Sequence, residues 1–169
     1  MTDPDDCRTS YVTDLGDGIH YRRCRFAAAL PKAYRYTAAH CWLAKAGEPD
    51  LWRVGFTRFA VRMLGDFVEL RIDLAPSSPV HTGMEIGSYE GLKAVTCLYC
   101  AVDGYFHRAN PALDAEAELA RADPHAAGWL YEARGSPDAA AVDVHGYVAV
   151  LNATIDKLQG VDEKDSPHG

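Results

Sequence analysis

The chain has 169 residues, of which 48% are hydrophobic and 24% charged, values typical of a globular protein with a sizeable core. Its formal net charge of −7 excludes the overall basic surface that nucleic-acid binding requires. The acidic N-terminus lacks the basic start and apolar run of a secretory signal, and no stretch has the length of a membrane helix. We therefore predict a cytoplasmic protein with no membrane span and no nucleic-acid partner.

The chain contains five cysteines, at positions 7, 24, 41, 97 and 100. An odd number argues against a closed disulfide framework, and cytosolic thiols are reduced by default. The sequence therefore predicts free thiols.

Residues 1–30 are predicted to form an N-terminal extension. The Gly-Asp-Gly sequence at 16–18 marks a turn, and the basic cluster at 21–26 is predicted to be a solvated arm, with a docking element as the alternative. From Tyr34 to Phe106, bulky and alternating apolar residues predict strands and turns.

A short helix is predicted to interrupt the strands, with Thr57 as its cap and Gly65 as its end. Alternating residues predict a half-buried strand with Val68, Leu70 and Ile72 on one face, followed by strands over 84–89 and 95–102. The pair Asp103 and Gly104 predicts a hairpin turn.

The last third of the chain is predicted to be helical. Residues 112–121 are rich in good helix formers, and Ser136 with Pro137 predicts the start of a second helix. An apolar stripe ending near Gly160 is formed by Tyr147, Leu151, Ile155 and Leu158. The predicted organisation is an extension (1–30), one domain (31–160) and a flexible tail (161–169).

Lys93 lies in a turn between two predicted strands. Gly91 occupies the position where a tight turn favours a permissive backbone. Lys93 is therefore expected at or beside a hairpin tip, with its amine exposed. Glu90 precedes the lysine by three residues and is expected to be read by a modifying enzyme. Because most lysines at turns are only solvated, this position alone does not predict a modification.

Seven short segments resemble, in order and spacing, the sequence pattern of glycine-cleavage-system H proteins. Glu90, Gly91, Leu92, Lys93 and Ala94 resemble the Glu-Ser-Val-Lys-Ala signature of that family, whose lysine carries lipoate. The other segments are 36–42 (YTAAHCW), 54–60 (VGFTRFA), 64–68 (LGDFV), 102–104 (VDG), 110–113 (NPAL) and 128–130 (GWL). Each segment alone is common, but the ordered set is specific.

The resemblance implies a mainly β fold, the barrel-sandwich hybrid, with two short antiparallel sheets around one core and with peripheral and C-terminal helices. It implies covalent attachment of lipoate to Lys93, with Glu90, Gly91, Leu92 and Ala94 as the motif around the modified lysine. The implied protein is a non-catalytic carrier that shuttles an aminomethyl group on a swinging arm. The implied partners are a lipoate ligase or transferase, glycine decarboxylase, aminomethyltransferase and dihydrolipoyl dehydrogenase.

Some residues depart from the family pattern. Gly91 stands where Ser is usual and Leu92 where Val is usual, while Cys97 and Cys100 replace a polar or acidic residue and an alanine. The segment before Tyr34 is also longer than the pattern requires. These departures slightly favour a second branch that resembles the H-like lipoate-binding proteins of bacterial sulfur oxidation. There the carrier would hold sulfur and work with a heterodisulfide-reductase-like complex, and the motif residues do not decide between the two cargoes.

A thiol redox protein is the first alternative of another class, because Cys97 and Cys100 have Cys-x-x-Cys spacing. Reactive pairs of this kind usually sit at a helix N-terminus, where the thiol pKa is lowered. This segment is predicted to be a strand, so the two side chains are expected on opposite faces.

Three further alternatives use other features. A structural zinc site needs four convergent ligands, but His20 with Cys24 and His40 with Cys41 are scattered pairs. A biotin carrier would have Met on both sides of Lys93, where the chain has Leu and Ala. An H-like scaffold that is never modified and only binds partners remains open.

Overall fold

The computed structural model describes residues 7–165, and side chains are described for residues 7–160. The chain forms two compact units, one from Met1–Ala33 with Val142–Gly169 and the other from Tyr34–Ala141. The predicted boundaries at residues 30 and 160 stay predictions. Within the described residues, no helix is long and apolar enough to cross a membrane, and the cytoplasmic location stays a prediction.

The described residues form twelve strands and four helices. The strands are β1 (Ser10–Asp14), β2 (Gly18–Arg23), β3 (Phe26–Pro31), β4 (Arg35–Tyr36), β5 (Cys41–Lys45), β6 (Leu51–Phe56), β7 (Phe67–Ile72), β8 (Pro79–Val80), β9 (Glu85–Gly91), β10 (Val95–Tyr99), β11 (Val102–Ala109) and β12 (Tyr131–Pro137). The helices are α1 (Arg58–Leu64), α2 (Ala112–Ala115), α3 (Leu119–Ala122) and α4 (Val144–Asp165).

The first unit consists of an antiparallel sheet in the order β1-β2-β3 and of helix α4. Alternate residues of β2 and β3 are buried, as period-2 strands with one covered face require. Helix α4 buries Tyr147, Leu151 and Ile155, which confirms three residues of the predicted stripe. The hydroxyl of Tyr21 in β2 donates to the Asn152 side chain in α4 at 2.8 Å, so the helix lies against this sheet.

The basic cluster at 21–26 is part of a sheet, so the predicted solvated arm is wrong for Arg23, whereas Arg22 and Arg25 are exposed. These residues span the β2–β3 hairpin, and Arg23 is 3% exposed. Its guanidinium donates to the carbonyl oxygens of Cys7 (2.7 Å) and Asn152 (3.1 Å) and to the Asp156 carboxylate (2.5 Å). A buried guanidinium requires such partners, because an unpaired buried charge is strongly unfavourable.

Cys7 and Cys24 form a disulfide, so the prediction of free thiols is wrong for this pair. Antiparallel pairing aligns Ser10 with Arg23, which brings the residues before β1 next to the β2–β3 turn. The two Cα atoms lie 4.5 Å apart, within the usual range for a disulfide. Cys41, Cys97 and Cys100 are free.

The second unit contains two antiparallel sheets, ordered β10-β9-β7 and β4-β5-β6-β12-β11-β8. Buried side chains from both sheets and from α1 form one hydrophobic cluster, in which Leu43, Val54, Tyr89, Leu98 and Tyr131 are fully enclosed. This arrangement confirms the expected mainly β fold with two sheets around one core. The sheets do not close into a barrel.

Several predicted elements occur where expected. Helix α1 begins after Thr57, whose hydroxyl accepts a hydrogen bond from the Ala60 amide, and it ends at Gly65. Of the other family motif residues, Trp42 donates its indole N–H to the Pro124 carbonyl, and the Asn110 amide donates to the carbonyls of Ala127 and Trp129. These motif residues join distant loops of the fold.

Residues 67–72 form the expected strand, and Leu70 and Ile72 pack against the core as predicted, but Val68 does not. A bulge between Phe67 and Glu69 changes the register against β9, so that Phe67 is half-buried and Val68 is exposed. The predicted pattern put Val68 on the face of Leu70. One extra residue at a bulge reverses which side chain points inward, and strict alternation does not anticipate it.

The prediction of a hairpin turn at Asp103 and Gly104 is wrong, because both residues lie inside β11. A Cβ at Gly104 would stand 1.9 Å from the Arg134 carbonyl oxygen on β12. The glycine therefore permits close contact between two strands, and no chain reversal occurs there. The predicted strand over 95–102 is likewise divided, because β10 ends at Tyr99 and β11 begins at Val102.

The C-terminal third also departs from the predicted helices. Residues 112–121 form the two short helices α2 and α3, and Ser136 with Pro137 ends β12. Helix α4 begins at Val144, where the Asp143 carboxylate accepts from the Gly146 amide at 2.8 Å and caps the first turn. Leu158 is exposed. The backbone of α4 continues past Gly160 to Asp165, and the rest of the predicted tail, 166–169, lies outside the described residues.

Candidate functional site

Lys93 lies at the tip of the β9–β10 hairpin, as the sequence predicts. The last ladder pair joins Glu90 to Val95, and the Gly91 amide donates to the Ala94 carbonyl at 2.9 Å. Leu92 and Lys93 are therefore the two residues at the tip. Both have exposed side chains.

The C-terminal end of α1 fixes the backbone of this tip. The Lys93 amide donates to the Leu64 carbonyl, and the Leu92 amide donates to the Asp66 carbonyl, each at 2.9 Å. The last carbonyls of a helix have no partner within the helix, so the tip supplies a hydrogen bond that the helix end needs. The hairpin tip is consequently held at its base by β9 and β10 and from the side by α1.

Two glycines allow the tip and the helix end to approach this closely. A Cβ at Gly91 would lie 2.1 Å from the Leu64 carbonyl oxygen, and a Cβ at Gly65 would lie 2.8 Å from Cγ of Lys93. Gly65 also has a φ of 82°, which favours glycine. The sequence predicts that Gly91 provides the permissive backbone of a tight turn. Gly91 has no positive φ, so this prediction is wrong. Gly91 is required by close contact with α1.

The Lys93 ammonium is exposed and only weakly held. Nζ lies 3.5 Å from the Arg62 carbonyl oxygen, at the limit of a hydrogen bond. Within the described chain, Lys93 forms no ion pair. A modifying enzyme can therefore take up the amine without breaking an ion pair, and these residues fit an amide-linked lipoyl group.

The other predicted site residues surround the lysine in the hairpin. Glu90 is half-buried at the end of β9, whereas Leu92 and Ala94 are exposed. Glu90 stands next to Val95 on β10 and next to Glu69 on β7. Their role in recognition stays a prediction.

A fully buried tyrosine lies directly beneath the tip. Tyr89 makes edge-to-face contacts with Phe56 and Phe67, at centroid distances of 5.1 and 5.3 Å. Among the described residues its hydroxyl has no hydrogen-bond partner, and burial raises the pKa of Tyr89 to about 12. The aromatic cluster therefore supports the hairpin by packing, at some cost in polar desolvation.

The thiol geometry gives a redox function no support. Cys97 is exposed on β10, whereas Cys100 lies just past the end of that strand and is buried. Burial raises the pKa of the Cys100 thiol and raises the pKa of Cys41 to about 12, which suppresses the reactive thiolate. Among the described residues, no group of His, Cys, Asp and Glu could hold a metal ion.

Sequence comparison adds a second line of evidence to this geometry. The sequence profile of the glycine cleavage H-protein family matches residues 34–147. The chain belongs to the glycine cleavage H-protein family. It is 34% identical over 126 residues to the glycine cleavage system H protein of Micrococcus luteus, covering 72% of this chain and 97% of that protein.

Two mycobacterial H proteins are also similar to this chain, one in sequence and one in structure. The glycine cleavage system H protein of Mycobacterium tuberculosis is 35% identical over 115 residues, which cover 68% of this chain and 84% of the relative. The crystal structure of the H protein from Mycobacterium marinum superposes with a TM-score of 0.63 at 31% identity, covering 71% of this chain and 97% of that one.

Membership of this family defines the general role of the chain. It is a non-catalytic carrier, and it bears lipoate covalently attached to a lysine. The relatives named above are glycine cleavage H proteins, so the sulfur-carrying alternative has no support. The family match begins at residue 34, so the sheet β1-β2-β3 lies outside it.

The sequence predicts the lysine but misses the surface that positions it. Leu64, Gly65 and Asp66 support the tip through carbonyl oxygens and through the absence of a side chain at Gly65. Their Leu-Gly-Asp motif is visible in the sequence. Its contact with a turn almost thirty residues later is a tertiary feature that no local pattern reveals.

Proposed function

We propose that Lys93 is the lysine that carries lipoate. We further propose that the loaded chain passes an aminomethyl group from glycine decarboxylase to aminomethyltransferase, and that dihydrolipoyl dehydrogenase reoxidises the arm. The observation that carries this proposal is the exposed Lys93 amine on a hairpin tip whose backbone is fixed by β9, β10 and α1.

The other lysines lack this combination. Lys32 is paired with the Asp14 carboxylate at 2.9 Å. Lys45 is the last residue of β5, and Lys157 lies on the exposed side of α4. The side chain of Lys164 lies outside those described. Among the lysines whose side chains are described, Lys93 is the one that stands at a two-residue tip.

The carrier function follows from a rigid support and a flexible arm. When bound, the lipoyl group would supply a disulfide that accepts the transferred group on one sulfur, and the dithiol left on the arm after that group has been passed on would be reoxidised. The fixed backbone of Lys93 sets the origin of the arm, and the exposed side chain keeps its amine accessible to solvent. Tethering raises the local concentration of the carried group at each partner's active site.

The attachment site is tested by acylating the protein with a lipoate ligase, lipoic acid and ATP. We expect one lipoyl mass increase in the wild type, located by peptide mapping on Lys93. Lys93→Arg keeps the charge but lacks the amine nucleophile, so it is expected to remain unmodified. Lys45→Arg is the matched control and should be modified like the wild type. A lipoyl group on Lys93→Arg, or on another lysine of the wild type, contradicts the proposal.

The cargo is tested with fully lipoylated protein. Glycine decarboxylase is expected to catalyse glycine–bicarbonate exchange in its presence and not in the presence of Lys93→Arg. A lipoylated sample that supports no exchange would overturn the aminomethyl assignment while leaving the attachment site intact.

A further inference from the structure

The disulfide of the first unit lies outside the residues that match the H-protein family, which begin at residue 34. It joins Cys7, three residues before β1, to Cys24 in the two-residue turn between β2 and β3. Both cysteines are partly exposed, so solvent reaches the two ends of the bond. This pair is distinct from the free cysteines, whose geometry gives a redox function no support.

Arginines flank Cys24 on both sides. Arg23 precedes it and Arg25 follows it. The Arg23 side chain is held in place, because its guanidinium donates to the Cys7 carbonyl at 2.7 Å and to the Asp156 carboxylate at 2.5 Å. Cationic neighbours stabilise a thiolate. When the disulfide is attacked, the sulfur of Cys24 is therefore well placed to leave as a thiolate.

The two ends of the disulfide differ in their charged neighbours. Cys7 stands between Asp6 and Arg8 in the sequence, whereas both neighbours of Cys24 are basic. The cysteine with the more stable thiolate is the better leaving group, and the incoming thiolate then bonds to the other sulfur. Attack is therefore expected at Sγ of Cys7, with release of Cys24.

The core of the first unit does not include the disulfide. It is formed by buried side chains of the sheet and of α4, such as Tyr21 and Leu151. What the disulfide anchors is the Cys7 carbonyl, which accepts from Arg23 and, at 3.1 Å, from the Gln159 side chain in α4. Opening the bond therefore releases the segment before β1 and leaves the sheet and its helix packed together.

We propose that Cys7–Cys24 is a redox site that accepts two electrons from a dihydrolipoyl dithiol, the form in which the arm is left after it has passed on its cargo. This inference rests on the proposed function of Lys93 as the source of that dithiol. The chain then stores two electrons in addition to those on its arm.

The exchange takes place in two steps, and its atoms and electrons balance. One arm thiolate attacks Sγ of Cys7, the S–S bond breaks, and Cys24 leaves as a thiolate that takes up a proton. The second arm thiol then loses its proton and attacks the arm sulfur of the mixed disulfide. The lipoyl ring closes, and Cys7 leaves and is protonated. The arm is oxidised to its disulfide, and the two cysteines are reduced to thiols.

A dithiol suits this site better than a single thiol. A monothiol stops at the mixed disulfide until a second molecule arrives, whereas the second sulfur of a dihydrolipoyl group is already tethered beside the bond at high effective concentration. The exchange can take place between two molecules, so the arm of one copy serves the disulfide of another.

The test counts the electrons that the fully lipoylated chain takes up. Dihydrolipoyl dehydrogenase with excess NADH reduces the lipoyl arm, and the absorbance of NADH reports its consumption. One equivalent per chain reduces the arm, and we expect a second equivalent for the disulfide. Alkylation and peptide mapping should then find Cys7 and Cys24 as thiols. Consumption of a single equivalent, with the disulfide intact, overturns the redox site.

Three variants assign the second equivalent. The lipoylated double variant Cys7→Ser, Cys24→Ser has no disulfide and is expected to consume one equivalent, even if its first unit is less stable. Lipoylated Cys97→Ser, at an exposed free thiol, is the matched control and should consume two. Lys93→Arg has no arm and should consume none. If Lys93→Arg consumes one equivalent, the disulfide is reduced without the arm, and the proposed electron donor is wrong.

A charge variant tests the leaving group. Arg25→Gln removes a cation at an exposed position and is expected to slow the second equivalent about threefold, because the departing thiolate is less stabilised. Arg71→Gln, at an exposed position on β7, is the control and should keep the wild-type rate. Equal rates for the wild type and Arg25→Gln contradict the role of Cys24 as the leaving group.

Failure of this inference is distinguishable from failure of the proposed function. Lys93→Arg with a catalytic amount of free lipoamide, NADH and the dehydrogenase should consume one equivalent, whichever lysine carries lipoate in the wild type. If lipoate maps to Lys93 and the disulfide stays intact in both assays, only the redox site is wrong. If lipoate maps elsewhere but free lipoamide reduces the disulfide, the attachment site is wrong and the redox site is supported.

Discussion

The Lys93 amide donates a hydrogen bond to the Leu64 carbonyl at 2.9 Å, so the hairpin tip caps the C-terminal end of α1. This bond attaches the backbone of Lys93 to helix α1. The inner side of that helix, including Val61 and Leu64, is buried in the core. Hydrogen bonds fix the backbone of Lys93, while its side chain is exposed and only weakly held. A carrier needs both properties, because partners must find the arm at a defined place.

Gly91→Ala is expected to displace the tip from α1. The added Cβ would lie 2.1 Å from the Leu64 carbonyl oxygen, so the hairpin or the helix end must shift. Overpacking of this kind costs about 1–3 kcal/mol. We expect urea unfolding to show a loss of that size, accompanied by slower lipoylation of Lys93.

Gly160→Ala provides the control for this substitution. Gly160 lies in α4 with nothing within 4 Å of its ideal Cβ, so alanine there should be neutral or stabilising. If Gly91→Ala unfolds at the same urea concentration as the wild type, then the contact between the tip and α1 accommodates a side chain at position 91, and the proposed reason for this glycine is wrong.

Local sequence patterns predict the lysine hairpin because its determinants lie close together in the chain. Two apolar runs flank a turn that contains a glycine, and the family motif covers the same residues. The bulge at Val68 and the β11 position of Gly104 are not predictable in this way. Each depends on how closely a neighbouring strand approaches, and strand neighbours are set by the whole sheet.

In the first unit, too, local sequence patterns fail to predict features that depend on distant parts of the chain. Arg23 is read from the sequence as solvated, yet it is buried by a helix whose Asn152 carbonyl lies 129 residues further along the chain. The Cys7–Cys24 disulfide likewise follows from the β1–β2 register and not from the number of cysteines. Burial of a charged residue becomes predictable only when its distant partners are known.

Tyr89→Phe is expected to stabilise the second unit. The hydroxyl is buried without a partner in the described part of the chain, so its removal recovers desolvation energy, on the order of 1 kcal/mol, while both ring contacts remain. Urea unfolding at pH 7 measures this gain. Tyr105→Phe, at an exposed position, is the control and should leave stability unchanged.

The advantage of Tyr89→Phe is expected to grow in alkali. Because burial raises the folded pKa of Tyr89 from 10 to about 12, wild-type stability is lost as the pH rises above 10. Phenylalanine does not ionise, so the difference between the two proteins should be larger at pH 11 than at pH 7. An unchanged difference would mean that the folded Tyr89 hydroxyl ionises as readily as the unfolded one.

Reduction of the Cys7–Cys24 disulfide is expected to destabilise the first unit. A cross-link between cysteines 17 residues apart contributes about 3 kcal/mol in the chain-entropy description. Hydrogen exchange of β1, β2 and β3 amides should accelerate when a reductant is added. Cys24→Ser should show the fast exchange without reductant, whereas Cys97→Ser, at an exposed free thiol, should behave like the wild type.

His40→Asn is expected to make the second unit less sensitive to acid. Burial lowers the folded pKa of His40 from 6.5 to about 4, so the wild type loses stability as the pH falls from 6.5 towards 4. At this partly exposed ring the loss is about 2 kcal/mol once solvent screening is allowed for. Asparagine tolerates the φ of 62° at this position and carries no titrating group. Urea unfolding at pH 7, 5.5 and 4 should therefore show wild type and variant diverging with acidity, while His81→Asn, at an exposed position, follows the wild-type curve. Parallel curves for wild type and His40→Asn would mean that the folded imidazole takes up its proton as readily as the unfolded one.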